Sequence, residues 1–74
     1  MHTKLLEIIN VVLTNNDLPI IEELNPDQTL QNDLGMDSIN LAELSVRLED
    51  AYEVDVFEDG MVFSIGELMH KLIK

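Results

Sequence analysis

The chain has 74 residues, with 15 acidic and 4 basic side chains and a formal net charge of −11. This length suits a single domain over residues 1–74 with a folded surface of about 4,600 Å², and it disfavours a large enclosed active site. The lack of cysteine excludes disulfide bonds. The charge disfavours nucleic acid and anionic membranes as direct partners and favours basic protein surfaces.

No apolar run is long enough for a secretory signal or a membrane span, so the cytoplasm is the expected location.

The first predicted helix runs from Lys4 to Asn15, with Thr3 as its N-cap. Its apolar residues recur at i, i+3, i+4 and i+7, which places them on one face: Leu5, Ile8, Ile9 and Val12.

A long connection covers residues 16–36 and holds both prolines of the chain and one of its three glycines. Long structureless loops are uncommon in compact domains, and this one carries several apolar side chains. We therefore expect a strap that packs across the helices and contains one short helical turn.

The second predicted helix runs from Ser38 to Tyr52, with Asp37 at or next to the N-cap position. At 100° per residue, one arc holds the expected core face: Leu41, Leu44, Leu48, Ala51 and Tyr52. Ile39 and Val46 fall on the opposite side of the helix, so they cannot face the same core.

This second face also carries Glu43 and Asp50. A charged face is usually no more than solvated surface, but apolar side chains ringed by charge favour a docking patch. Arg47 follows Glu43 at i+4 and precedes Asp50 at i+3, and a local salt-bridged cluster is the simplest explanation for it.

The segment 54–57 alternates like a strand but has no evident partner, so we favour a loop leading to a short helical turn that ends near Gly60. The last predicted helix runs from Ile65 to Ile73, with capping-box spacing between Ser64 and Glu67. The expected fold is all-α, a small four-helix bundle of three main helices and one short helix.

Ser38 is the candidate functional residue. A serine at a helix start is usually a cap, but here Gly35 permits a tight turn that exposes the hydroxyl at a corner. Serine catalysis is disfavoured, since there is no Gly-x-Ser-x-Gly motif and the histidines, His2 and His70, lie near the two ends of the sequence.

No metal site is expected. The chain has no cysteine and only two separate histidines, which does not make a usual zinc ligand set. Residues 55–60 begin like a calcium loop, but Gly66 stands where the bidentate glutamate would be required.

Residues 33–39 read Asp-Leu-Gly-Met-Asp-Ser-Ile, which resembles the Asp-Leu-Gly-x-Asp-Ser-Leu signature of the acyl carrier protein family. The likeness continues at 42–44, 48–52 and 64–68 and covers essentially the whole chain. It implies a four-helix bundle with a short third helix and a place between the helices for an acyl chain. It also implies that a separate transferase attaches 4′-phosphopantetheine from coenzyme A to Ser38, and that the thiol of this arm holds an acyl group as a thioester.

In this family the helix after the serine docks onto basic patches of partner enzymes. The matching positions in this sequence are Asp37, Ile39, Glu43, Val46, Glu49 and Asp50. The resemblance therefore implies two kinds of partner: a phosphopantetheinyl transferase, and acyl-transferring or acyl-activating enzymes. Nucleic acid and stable membrane insertion are not expected, and a monomer is the default expectation.

Three positions depart from the fatty-acid carriers of this family: Asn40 replaces a common acid, Ser45 a usual apolar residue, and Arg47 adds a cation to the docking helix. These departures leave the cargo open between fatty-acid and polyketide intermediates, with a peptidyl or aminoacyl carrier of a specialised bacterial pathway as an alternative. A non-covalent acidic adaptor that binds a basic partner through Ile39 and Val46 is the other alternative. A free-standing enzyme lacks an acid, base and nucleophile constellation.

Overall fold

The computed structural model describes residues 2–58 and 60–72, except for the side chain of His2. It contains three helices: α1 (His2–Asn15), α2 (Ser38–Tyr52) and α3 (Ile65–Leu72). Among the described residues no β-strand forms, and an isolated antiparallel bridge joins Thr29 to Ser64. The all-α prediction is confirmed.

α1 begins at His2, so Thr3 lies inside the helix and its predicted role as N-cap is wrong. No proline or glycine stands before Lys4 to stop the helix there. At the other end, Asp17 adopts the left-handed conformation with φ 58°. The Leu18 N–H donates to the Leu13 carbonyl at 2.8 Å, which closes the helix with a Schellman motif.

The hydrophobic core takes side chains from all three helices and from both connections. Its buried members are Leu5, Ile9, Val12, Leu13, Leu30, Leu34, Met36, Leu41, Leu44, Leu48, Val56, Val62, Ile65, Leu68 and Leu72. The predicted apolar faces of α1 and α2 are therefore confirmed, although Ile8, Ala51 and Tyr52 are only partly buried. The total accessible surface of 4624 Å² matches the expectation from chain length.

The strap over residues 16–37 packs across the helices as predicted. The side-chain amide of Asn10 holds it to α1, since it donates to the Ile21 carbonyl and accepts from the Ile21 N–H, both at 2.9 Å. The Thr29 carbonyl accepts hydrogen bonds from the N–H groups of Asp33 and Leu34, both at 3.1 Å, which makes one turn and no longer helix. This arrangement fixes the chain that leads into α2.

The connection between α2 and α3 contains turns where the short fourth helix was expected. The Asp55 carboxylate accepts from the Phe57 N–H at 3.1 Å, and the Asp55 carbonyl accepts from the Glu58 N–H at 3.2 Å. A side chain that takes a nearby backbone N–H in this way competes with helical hydrogen bonding. The described residues thus give three helices, and the fourth is not confirmed; Asp59 lies outside them.

The strap also holds the start of α3. Ser64 Oγ accepts from the Glu67 N–H at 3.1 Å, as the capping-box spacing predicts. The Gln28 carbonyl accepts from the Ile65 N–H at 2.9 Å, and the Pro26 carbonyl accepts from the Gly66 N–H at 3.0 Å. Free N–H groups at this helix start therefore find partners in the strap. The predicted final residue of this helix, Ile73, lies outside the described part of the chain.

Candidate functional site

Ser38 is the first residue of α2, and it is exposed. The N-cap of this helix is Asp37, whose carboxylate accepts from the Asn40 N–H at 2.9 Å. The Asn40 side-chain oxygen in turn accepts from the Asp37 N–H at 3.1 Å, which completes a capping box. The hydroxyl of Ser38 makes no hydrogen bond with any residue in the described ranges. Capping therefore does not explain this serine.

Asn40 has a role that the sequence analysis missed. It is only 6% exposed and is the buried polar residue of the described core. Against the fatty-acid carriers, Asn40 stands out only as the loss of an acid, but its position three residues after Asp37 has the spacing of a capping box. Burial of this side chain is tolerated because its oxygen accepts a hydrogen bond from the Asp37 N–H, and no buried side-chain nitrogen or oxygen of the described residues lacks a partner.

The residues before Ser38 form a rigid corner. The Asp33 carboxylate accepts from the N–H of Thr29 at 2.8 Å and from its hydroxyl at 3.2 Å. Gly35 has a φ of +81°, and a Cβ at this position would lie 3.3 Å from a methyl carbon of Leu18. The Met36 N–H donates to the Leu30 carbonyl at 3.0 Å. The corner that presents the Ser38 hydroxyl is thus held by contacts with earlier residues of the strap.

An apolar cleft of about 220 Å³ lies beside Ser38. It is lined by Ser38, Leu41, Ala42, Phe57 and Met61. Phe57 and Met61 come from the α2–α3 connection, and their part in the site was not predicted. The signal available in the sequence was two large apolar side chains in an acidic loop. The cleft can shelter an apolar group that is attached close to Ser38.

The outward face of α2 has the exposed apolar residues that the helical wheel predicts. Ile39 is 73% exposed and Val46 is 66% exposed. The acidic side chains of Asp37, Glu49 and Asp50 are also exposed. In the structure, five of the six predicted docking residues are thus exposed at the surface.

Glu43, the sixth, is half-buried and ties α1 to α2. Its carboxylate accepts hydrogen bonds from the side chains of Asn15 at 3.1 Å, Asn16 at 3.2 Å and Arg47 at 3.2 Å. These hydrogen bonds lower the pKa of the Glu43 carboxyl, and the one from Asn15 has the largest effect. The expected Glu43–Arg47 pair is present, but among the described residues Arg47 makes no ion pair with Asp50.

Other kinds of site find little support in the described residues. Residues 2–58 and 60–72 contain no group of three or more histidine or acidic side chains able to hold a metal ion. Within the same ranges, every helix is too short or too polar to pass through a lipid bilayer.

Comparison with known proteins points to one family. The family model described as the phosphopantetheine attachment site matches residues 4–68. Three curated bacterial proteins named acyl carrier protein are similar to the chain. They come from Streptomyces coelicolor (44% identical over 36 residues), Desulforapulum autotrophicum (41% over 39) and Syntrophus aciditrophicus (36% over 55).

These matches differ in their extent. They cover 49%, 53% and 74% of this chain and 39%, 51% and 68% of the three relatives, in the same order. The matched part thus spans about half or less of the first two relatives. No solved structure matches the chain.

Proposed function

This chain belongs to the acyl carrier protein family, and we propose that it carries acyl intermediates as thioesters on an arm attached to Ser38. The family model is that of a phosphopantetheine attachment site, so the prosthetic group is 4′-phosphopantetheine. The observation that carries the proposal is the exposed Ser38 hydroxyl, which stands at the serine of the family motif and is free of any capping duty.

The surroundings of Ser38 fit a phosphodiester whose arm carries an apolar acyl group. The serine lies at the start of a helix of 15 residues, where the helix dipole favours negative charge. The neighbouring Asp37 carboxylate is already held by the Asn40 N–H. The cleft of about 220 Å³ beside Ser38 offers apolar contacts from Leu41 and Phe57. When bound, the arm supplies the thiol that holds an acyl group.

Attachment of the arm needs a separate enzyme. In the transfer, Ser38 Oγ forms a bond to the phosphorus next to pantetheine, the pyrophosphate bond of coenzyme A breaks, and 3′,5′-ADP leaves. The hydroxyl proton must pass to a base. No side chain of the described residues contacts the hydroxyl to take it, so a phosphopantetheinyl transferase supplies that base. We accordingly propose a carrier and not a catalyst.

The proposed partners are this transferase and acyl-transferring or acyl-activating enzymes with basic docking patches. The exposed Ile39 and Val46 supply apolar anchors, and Glu49 and Asp50 supply negative charge beside them. A net charge of −11 would steer such basic surfaces toward the chain. Fatty-acid or polyketide intermediates are the proposed cargo. The expected monomeric state and cytoplasmic location stay predictions.

One feature favours a second cargo class. Arg47 places a cation within the docking face, and its only ion pair in the described chain is with Glu43 on the same helix. This departs from the acidic helix of fatty-acid carriers and favours either a polyketide carrier or the alternative, a peptidyl or aminoacyl carrier of a specialised pathway.

Intact mass spectrometry tests the proposal. The chain is incubated with coenzyme A and a broad-specificity phosphopantetheinyl transferase, beside the variants Ser38→Ala and Ser45→Ala. We expect one phosphopantetheine on the parent and on Ser45→Ala, and none on Ser38→Ala. If the parent stays unmodified while a known carrier in the same tube is modified, the result favours the acidic adaptor or a carrier that needs a dedicated transferase. If Ser38→Ala gains the arm, the site assignment is wrong.

A further inference from the structure

A groove runs between α1 and α2, away from the cleft beside Ser38. The two helices are antiparallel, since Lys4 near the start of α1 contacts Ala51 near the end of α2, and Asn15 at the end of α1 contacts Glu43. The groove measures about 300 Å³ and is lined by Lys4, Glu7, Ile8, Val11, Arg47, Asp50 and Ala51. We call it the α1–α2 groove.

The α1–α2 groove continues onto the outer faces of both helices. It shares Arg47 and Asp50 with a shallow cleft that also contains Val46. On the other side it shares Glu7 and Val11 with an open cleft that reaches Ile20 in the strap. Val46, Val11 and Ile20 are 66%, 42% and 61% exposed, so exposed apolar side chains extend from the proposed docking face of α2 across α1.

The two cations of the groove are already engaged by the chain itself. The Arg47 guanidinium pairs with Glu43 at 3.2 Å. The Lys4 ammonium donates to the Ala51 carbonyl at 3.2 Å and lies 5.0 Å from the centre of the Tyr52 ring. A cation near the carbonyl end of α2 is also favoured by the helix dipole. Within the described residues, neither cation forms an ion pair with the carboxylates on the sides of the groove.

Those carboxylates are Glu7 on α1 and Asp50 on α2. Both side chains are exposed, and neither makes a hydrogen bond or an ion pair within residues 2–58 and 60–72. The groove thus combines an apolar patch at Val11 with unpaired negative charge on both helices. Apolar contact flanked by charge is the pattern of a protein interface. Along the groove and the adjoining cleft, the carboxylates of Glu7, Glu43 and Asp50 outnumber the cations of Lys4 and Arg47, and the whole chain has a net charge of −11, so the complementary charge is positive.

We propose that the α1–α2 groove is a second half of the docking surface and takes a basic amphipathic helix of a partner protein. An apolar side chain of that helix packs on Val11, and a lysine or arginine lies between Glu7 and Asp50. This inference deepens the proposed carrier function and rests on it for the docking face of α2. It adds α1 residues to a surface that the sequence analysis confined to α2 and Asp37.

Solution NMR of the full chain tests the groove directly. The nitrogen-15-labelled protein is titrated with a synthetic peptide of about four helical turns that has leucine along one face and lysine on both flanks. We expect amide shift changes at Glu7 and Val11 on α1 together with Val46 and Asp50 on α2. A control peptide with every lysine replaced by glutamate should cause none of them.

Matched variants separate this site from general attraction to an acidic chain. Glu7→Gln and Asp50→Asn should each weaken peptide binding by about 1.5- to 5-fold, the range for exposed charge pairs. Val11→Ser should weaken peptide binding by about three- to eightfold. The peptide would lose the apolar contact with the exposed 42% of Val11, and the hydrophobic free energy scales with that area. Glu23→Gln and Phe63→Ser change exposed residues outside the groove and should leave the affinity within the error of the measurement.

Two results would overturn the groove proposal. Shift changes confined to α2, without Glu7 and Val11, would show that docking does not extend onto α1. Equal weakening by Glu23→Gln and Glu7→Gln would show attraction to net charge alone. Either result leaves the carrier function intact, because the mass of the modified parent chain tests that function and does not involve the peptide. Conversely, a parent chain that resists modification refutes the carrier proposal whatever the peptide does.

Discussion

The capping box at the start of α2 predicts how the chain responds to loss of the Asp37 side chain. Asp37→Ala removes the acceptor for the Asn40 N–H at 2.9 Å and leaves the buried Asn40 with half of its box. Loss of an N-cap costs about 0.5–2 kcal/mol in the free energy of unfolding. For a domain of this size, that range corresponds to a fall in melting temperature of about 2–16 °C.

Thermal unfolding followed by circular dichroism measures this effect, and two further variants isolate the cap. Glu49→Ala removes another exposed acid, within α2, without touching the box, so it reports the effect of lowering the net negative charge. Asp37→Ser removes the charge but keeps an oxygen acceptor, and it should recover most of the lost stability. An unchanged melting temperature for Asp37→Ala relative to Glu49→Ala would refute the account of the corner that presents Ser38.

Three other perturbations have definite expected outcomes. Hydrogen bonds lower the pKa of Glu43 in the folded chain below its ordinary value of 4.5. The ionised carboxylate therefore stabilises the fold fully above pH 4.5, and this stabilisation is lost as the pH falls through the folded pKa. The difference in melting temperature between the parent and Glu43→Gln should accordingly shrink on acidification. Gly66→Ala should destabilise the chain by about 1–3 kcal/mol in urea unfolding, since its Cβ would lie 3.0 Å from the Pro26 carbonyl oxygen; unfolding at the parent's urea midpoint would contradict this. Self-repulsion at a net charge of −11 predicts that sodium chloride raises the melting temperature, and a flat salt dependence would show that the repulsion is overestimated.

Much of the fold follows from local sequence signals. The bounds of α2 were predicted at both ends, since Asp37 is a strong cap and the leucines of this helix keep one period. Ser64 likewise marks the start of α3. The N-terminus of α1 was predicted wrongly because residues before Lys4 carry no stop signal. At 54–58, the Asp55 carboxylate accepts from the Phe57 N–H and so competes with helical hydrogen bonding, a contact that the residue pattern alone does not reveal.

The parts of the site that sequence reasoning missed depend on contacts between distant residues. The Glu43 carboxylate meets Asn15 and Asn16, which are 28 and 27 residues away along the chain. A helical wheel shows only that Glu43 lies outward and cannot show that α1 supplies donors to it. The same limit applies to Phe57 and Met61, which reach the cleft beside Ser38 only after the α2–α3 connection folds back.

Localisation of the added phosphopantetheine by tandem mass spectrometry tests the central claim most directly. The account predicts that, after treatment with coenzyme A and transferase, the modification lies on Ser38 in a peptide that spans the 33–39 motif. The two other serines, Ser45 and Ser64, should stay unmodified in the same digest. A modification found on either of them, or no modification while a known carrier is converted, would contradict the account.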